Sequence, residues 1–197
     1  MKPRKAKIER KTKETNITLE FNLDGEGKAK INSGSGFFDH MLELFTRHGL
    51  FDLKLKCVGD KKVDLHHSVE DIGICLGKAI SSALGDKKGI KRYGVFELPM
   101  DEALAKVVVD LGGRPFLIFN VKLTRKKIND FDCELVEEFF RAVSDNAKIN
   151  IHMDLLRGKN AHHSLEAIFK AFARALDMAA QIDIRQSKLV PSTKGVL

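Results

Sequence analysis

The sequence predicts an α+β fold made by internal duplication: two half-domains, each a small mostly antiparallel sheet with two helices packed on one face. Three observations carry this. The segment Asp64-Leu-His-His-Ser-Val-Glu-Asp-Ile returns as Asn160-Ala-His-His-Ser-Leu-Glu-Ala-Ile. A helical stretch precedes each copy, and between the two helices of each half lies a short alternating strand. The halves are read as 1–92 and 93–197, side by side in one pseudo-symmetric domain, with the boundary near Gly89 to Gly94.

In the first half, Ile17 to Leu23 and Lys28 to Ile31 are strand candidates, and Asp24-Gly25 between them suggests a hairpin turn. A helix is expected through Phe37–Phe45, then a strand over Leu53–Cys57. Asp64 suits the N-cap of the next helix, whose apolar positions Ile72, Leu76, Ile80 and Leu84 keep helical spacing. The second half repeats the order: strands at Leu104–Leu111 and Phe116–Val121 around the turn Gly112-Gly113, a helix from Glu134 to Ala142, and a strand over Ile149–Met153. A helix then follows Asn160, with Leu165, Phe169, Phe172 and Leu176 on one side. Both His-His-x-x-Glu copies thus open a helix.

Composition narrows the function. With 43% hydrophobic and 31% charged residues the 197-residue chain is globular, and no run of about 18 apolar residues offers a membrane span. The basic N-terminus is not followed by an apolar stretch, so a secretory signal is not expected and the cytoplasm is the expected location. Cys57, Cys75 and Cys133 have no paired spacing and read as reduced thiols. The net charge of +7 is spread along the chain without basic–aromatic interleaving. That argues against nucleic acid or membrane partners and suits a small phosphorylated substrate.

Four of the seven histidines lie in the repeated motif. At about 100° per residue, His66 and Glu70 share a helix face and can share one metal, while His67 points about 100° away. The same holds for His162, Glu166 and His163, so each motif is built to feed two metals. Imidazole and carboxylate without thiolate suit Mn, Fe, Zn or Ni. His40 precedes His66 by 26 residues and Glu138 precedes His162 by 24, on equivalent helices, which raises the candidate ligands to eight. His48 and His152 remain; His152 alternates with apolar Ile151 and Met153 and is expected to face away from them in a supporting role.

Several ordered motifs together resemble the imidazoleglycerol-phosphate dehydratase family. They are Phe38-Asp-His-Met-Leu, Gly59-Asp, Asp64-x-His-His-x-x-Glu-Asp, Arg92-Tyr-Gly, Pro99-Met-Asp-Glu-Ala-Leu, Asp110-Leu-Gly-Gly-Arg-Pro, His162-His-x-x-Glu-Ala-x-Phe-Lys-Ala and Pro191-Ser-Thr-Lys-Gly. The resemblance spans nearly the whole chain. It implies dehydration of imidazole glycerol phosphate to imidazole acetol phosphate in histidine biosynthesis, with two Mn2+ per active site. Metal binding to the substrate ring would favour its imidazolate, which can expel the neighbouring hydroxyl to give a diazafulvene-like intermediate. It further implies the ligand set His40, His66, His67, Glu70, His162, His163, Glu166 and, eighth, Glu138, a position where many members have His. Glu14 is the implied acid–base residue, with Glu70 and Glu166 also counted as catalytic. Substrate contacts are implied for Glu14, His40, His48, Arg92, Arg114, Lys170, Ser192, Thr193 and Lys194. A homo-oligomer, a 24-mer with metal sites at subunit interfaces, is implied too. The rival readings from the residues are another dinuclear metalloenzyme acting on a phosphorylated metabolite and a metal-clipped RNA-binding module.

Overall fold

The structure is a computed structural model, and it describes residues 3–60, 63–195 and 197. Strand β1 (Lys5–Lys11), β2 (Thr15–Asn22) and β3 (Ala29–Asn32) precede helix α1 (Gly36–Gly49), strand β4 (Asp52–Gly59) and helix α2 (His66–Leu84). The order then repeats with β5 (Tyr93–Met100), β6 (Ala103–Asp110), β7 (Phe116–Asn120), a two-stranded insertion β8 (Lys127–Ile128) and β9 (Phe131–Asp132), α3 (Leu135–Ala147), β10 (Asn150–Arg157) and α4 (Ala161–Ala180). The two sheets have matching orders, β1-β2-β4-β3 and β5-β6-β10-β7. In each, the last strand pairs parallel to its neighbour and the other pairs are antiparallel.

The hairpin expected at Asp24-Gly25, and its counterpart at Gly112-Gly113, do not form. Strand β4 lies between β2 and β3, and β10 between β6 and β7, so each glycine turn starts a crossover. The true hairpins join β1 to β2 and β5 to β6, and neither β1 nor β5 was among the expected strands.

Alternation places Ile17, Leu19 and Phe21 of β2, with Leu53 and Leu55 of β4, on an inner face closed to solvent; Ala105, Val107 and Val109 of β6 do the same in the other sheet. Helices cover these faces, and the pairs crossing the middle of the molecule are mixed: α1 packs on α4, and α2 on α3. Each pair therefore draws one helix from each half. Successive contacts between Phe45 and Phe172, and between the His48 carbonyl and Arg174, advance together, so α1 and α4 run in the same direction. Phe38, Phe139, Phe140, Phe169 and Phe172 fill the centre with ring centroids 5.0–6.5 Å apart, the tilted and edge-on range in which such pairs add about 1 kcal/mol beyond burial. Gly73 lets α2 approach α3, because a Cβ there would stand 2.7 Å from the Phe139 carbonyl oxygen.

The repeat is visible in small bonds. Leu23 N–H donates to Arg4 O and Leu111 N–H to Arg92 O, at equivalent points of the halves. Helices α1 and α3 both end on left-handed residues, Leu50 and Lys148. One difference stands out. Beneath the first sheet, Arg10 and Thr15 both bond the buried Asp71, at 2.7 and 2.5 Å. Leu98, Ala103 and Ala167 occupy the equivalent positions of the second half, an apolar solution to the same packing problem.

Candidate metal centre

Both motifs open helices, as expected. Asn160 is the N-cap of α4 and accepts from His162 N–H at 2.9 Å, whereas Asp64, expected to cap α2, stands one residue before the N-cap Leu65 and accepts from His66 N–H at 2.7 Å. On α4, His162 and Glu166 lie one turn apart, and Nε2 of His162 is 3.0 Å from Glu166 Oε1. Nε2 of His40, on α1, reaches the same oxygen at 2.9 Å. His40, His162 and Glu166 each offer a ligand atom within 4.8 Å of the others, the one such three-donor group among the described residues. The first half thus supplies one imidazole to the second half's motif, through the α1–α4 packing.

Lys170, one further turn along α4, donates to Glu166 Oε2 at 2.6 Å, and both side chains are about nine-tenths buried. Burial alone would raise the Glu166 carboxyl. The bonds from Lys170, His40 and His162 outweigh it and hold the group down at about 2. His48 lies nearby, half-buried, its pKa lowered by burial and by the Lys170 and Arg174 charges.

The second histidine of each motif points elsewhere, as helix geometry requires. His67 Nδ1 bonds Asp60 at 3.0 Å, while its Nε2 faces Glu14 Oε1 at 3.8 Å. His163 Nδ1 bonds Glu102 at 2.9 Å. Glu102 also accepts from the N–H groups of Lys159 and Asn160, and with these donors its carboxyl is held at about 2, the His163 bond being the largest cause. The pKa values of both His67 and His163 are raised, chiefly by those carboxylate bonds. Asp60 and Glu102 were not among the expected site residues. Only the quoted Gly59-Asp and Asp-Glu-Ala motifs contained them, and their contacts arise from folding.

The remaining expected ligands are not gathered. His66 and Glu70 stand 3.8 Å apart on α2. Glu138 is half-buried on α3, the helix that α2 packs against, and belongs to no three-donor group among the described residues. Of the expected substrate residues, His40, His48 and Lys170 lie around Glu166 and Glu14 lies beside His67, whereas Arg92, Arg114 and the C-terminal tail lie at the other end of the molecule. Arg92 forks onto Asp110 at 2.7 and 3.2 Å and donates to the Pro191 carbonyl at 2.8 Å, tying down the tail that carries Ser192, Thr193 and Lys194. Arg114 is exposed, its carbonyl bonded by Asn150 at the start of β10. His152 stands on the outer face of its sheet between Val108 and Ile118, away from the buried Ile151 and Met153.

Such a chain, duplicated in its fold and converging imidazoles from both halves on one carboxylate, belongs to the class of α+β proteins with a histidine–carboxylate group able to hold a metal ion. Its relatives are specific. The family model described as imidazoleglycerol-phosphate dehydratase matches residues 33–176. Curated imidazoleglycerol-phosphate dehydratases from Geobacter sulfurreducens and Aminomonas aminovorus are 57% and 55% identical over 194 residues, covering 98% of this chain and 99% and 100% of theirs. The solved structure of the Staphylococcus aureus dehydratase superposes with a TM-score of 0.83 at 46% identity, over 91% of this chain and 99% of that one. The Pyrococcus furiosus structure, a complex with (S)-C348, gives 0.82 at 34% identity, over 96% and 100%. The chain belongs to the imidazoleglycerol-phosphate dehydratase family, hydro-lyases whose name places them in histidine biosynthesis. No helix among the described residues is long and apolar enough to cross a membrane.

Proposed function

We propose that this chain removes water from D-erythro-imidazole glycerol phosphate to give imidazole acetol phosphate, as a manganese-dependent cytoplasmic enzyme with two Mn2+ per active site. The observation that carries the metal dependence is the convergence of His40, His162 and Glu166 within 4.8 Å. Two imidazoles and an ionised carboxylate fit a divalent first-row ion, and Glu166 is held in the charged state that such an ion requires. His66, His67, Glu70, Glu138 and His163 complete the proposed ligands. When bound, the metal supplies Lewis acidity to the substrate's imidazole.

The chain's own residues then divide the work. Lys170 fixes the Glu166 carboxylate through Oε2 and leaves Oε1 toward the imidazoles. Glu14, on the exposed β1–β2 turn beside His67, removes the carbon-bound proton next to the departing hydroxyl. Arg92, Arg114, Ser192, Thr193 and Lys194 grip the phosphate with cations and hydroxyls, and His48 lines the substrate.

Within one chain these groups are too far apart to meet. Arg92 N–H donates to the Ala179 carbonyl at the end of α4, while His162 opens the same helix, a rise of about 25 Å. A small substrate cannot touch both. This supports sites completed between subunits of a homo-oligomer, for which the 24-mer is the proposed form. The duplicated halves 1–92 and 93–197 supply both ends of the site from every chain.

Mixing tests the arrangement. Arg92→Ala and His162→Ala chains, each inactive, should regain dehydration when dissociated and reassembled together. A site closed within one chain regains none.

A further inference from the structure

The duplicated halves treat their second histidine differently, and the difference concerns Glu14. Glu14 and Glu102 occupy the same place in the repeat, on the β1–β2 and β5–β6 turns, immediately before Thr15 and Ala103. In the second half, Glu102 itself holds His163 Nδ1. In the first half, the residue following Gly59, at the end of β4, is Asp60, and it holds His67 Nδ1. Lys159 follows the equivalent Gly158 and offers no carboxylate. The two glycines match by their neighbours: a Cβ at Gly59 would meet Ser68 Oγ, and one at Gly158 would meet Ser164 Oγ.

An ionised carboxylate only accepts hydrogen bonds, so each Nδ1 must carry a proton, and in the neutral ring each Nε2 is then left with its lone pair. Both motif histidines are thereby fixed in one tautomer and one ring orientation, the arrangement that suits metal-bound imidazole. With Asp60 performing this task, Glu14 is displaced to the other side of the ring, where its Oε1 lies 3.8 Å from His67 Nε2. The backbone keeps it there, since the Thr12 hydroxyl accepts from the N–H groups of both Glu14 and Thr15.

We propose that Asp60 and Glu102 are the positioning residues of His67 and His163, and that Asp60, by taking the Nδ1 position that Glu102 fills in the other half, releases Glu14 for proton transfer. Divergence of one loop residue after duplication thus separates a structural glutamate from a catalytic one. The proposal rests on the dehydratase reading, and its tests keep the two apart.

The experiment uses the assembled protein and the variants Asp60→Ala, Asp60→Asn, Glu102→Ala and Glu102→Gln, with folding and assembly checked by circular dichroism and light scattering. Nitrogen-15 spectra of the histidines in chelator-treated protein report the tautomers directly, without metal or turnover. Asp60→Ala should scramble His67 and spare His163, and Glu102→Ala the reverse. Asn and Gln, which keep an acceptor oxygen, should restore most of the signal. Manganese affinity, read by electron paramagnetic resonance, should fall about 10- to 100-fold in each Ala variant. At saturating manganese, Asp60→Ala should turn over more slowly than Glu102→Ala, because a His67 ring no longer held at Nδ1 can turn against Glu14 and disturb it. Unchanged tautomers and manganese affinity in both Ala variants overturn the positioning roles. Equal turnover at saturating metal overturns the release of Glu14. If the wild-type protein performs no dehydration while the tautomer effects hold, the positioning stands and the reaction assignment falls.

Discussion

Removing the Glu166 carboxylate should cost stability chiefly by stranding Lys170. The two side chains are 9% and 12% exposed and bonded at 2.6 Å, so solvent screens the pair little. A carboxyl held at about 2 instead of its ordinary 4.5 has its charged form stabilised by about 3 kcal/mol. The cost of leaving a buried charge uncompensated, about 3–5 kcal/mol, points the same way. Glu166→Ala should therefore lower the stability of metal-free protein at pH 7 by about 3 kcal/mol, a melting shift of about 6–12 °C for a chain of this size. The double variant Glu166→Ala/Lys170→Met removes both charges and should lose half of that or less. Because the carboxyl pKa is depressed, its contribution is full above the unfolded value near 4.5 and disappears as pH falls from about 5 toward 2. The wild-type advantage over Glu166→Ala should shrink across that window. Thermal and urea unfolding in chelator, at pH 7 and at pH 3, measure all three quantities. Equal losses in the single and double variants would show that Lys170 does not depend on Glu166.

Glu14→Gln should lower kcat by about 10²- to 10⁴-fold while manganese affinity, measured by titration, holds within a few fold. Glu138→His should keep manganese binding and turnover, and a folded, metal-loaded but inactive protein would remove position 138 from the ligand set. Gly94→Ala places a Cβ 1.9 Å from the Ala175 carbonyl oxygen on α4 and should cost at least about 2 kcal/mol. Gly36→Ala, with nothing within 4 Å at the start of α1, should be neutral or stabilise by up to about 1 kcal/mol; melting curves compare the two. Arg92→Lys cannot reproduce the fork onto Asp110, so limited proteolysis should cut the tail beyond Pro191 faster than in the wild type.

The sequence carried the repeated helix starts because motif spacing and apolar periodicity agree there, with Asn160 capping α4 as expected and the α2 N-cap falling at Leu65, one residue after Asp64. It concealed β1, whose inner face is only Ala6, Ile8 and Arg10, two half-buried apolar side chains followed by the Arg10–Asp71 ion pair. It misled at Asp24-Gly25, where turn chemistry is local but the parallel pairing of β3 with β4 is not. Of the site, the two motifs and His40 could be read from spacing. That His40 joins the motif of the opposite half depends on which helices pack, and Asp60 and Glu102 reach their histidines only through tertiary structure. The phosphate-binding candidates around Arg92 were legible as motifs, while their separation from His162 along α4 emerged from the fold.

The proposed manganese-dependent dehydration is checked by stripping the assembled protein with a chelator and following imidazole acetol phosphate formation before and after manganese is restored. Turnover that vanishes with the metal and returns with it is the predicted result. A folded, assembled and remetallated protein that forms no product would overturn the dehydratase reading, and turnover that persists in chelator with no bound metal would overturn the metal dependence.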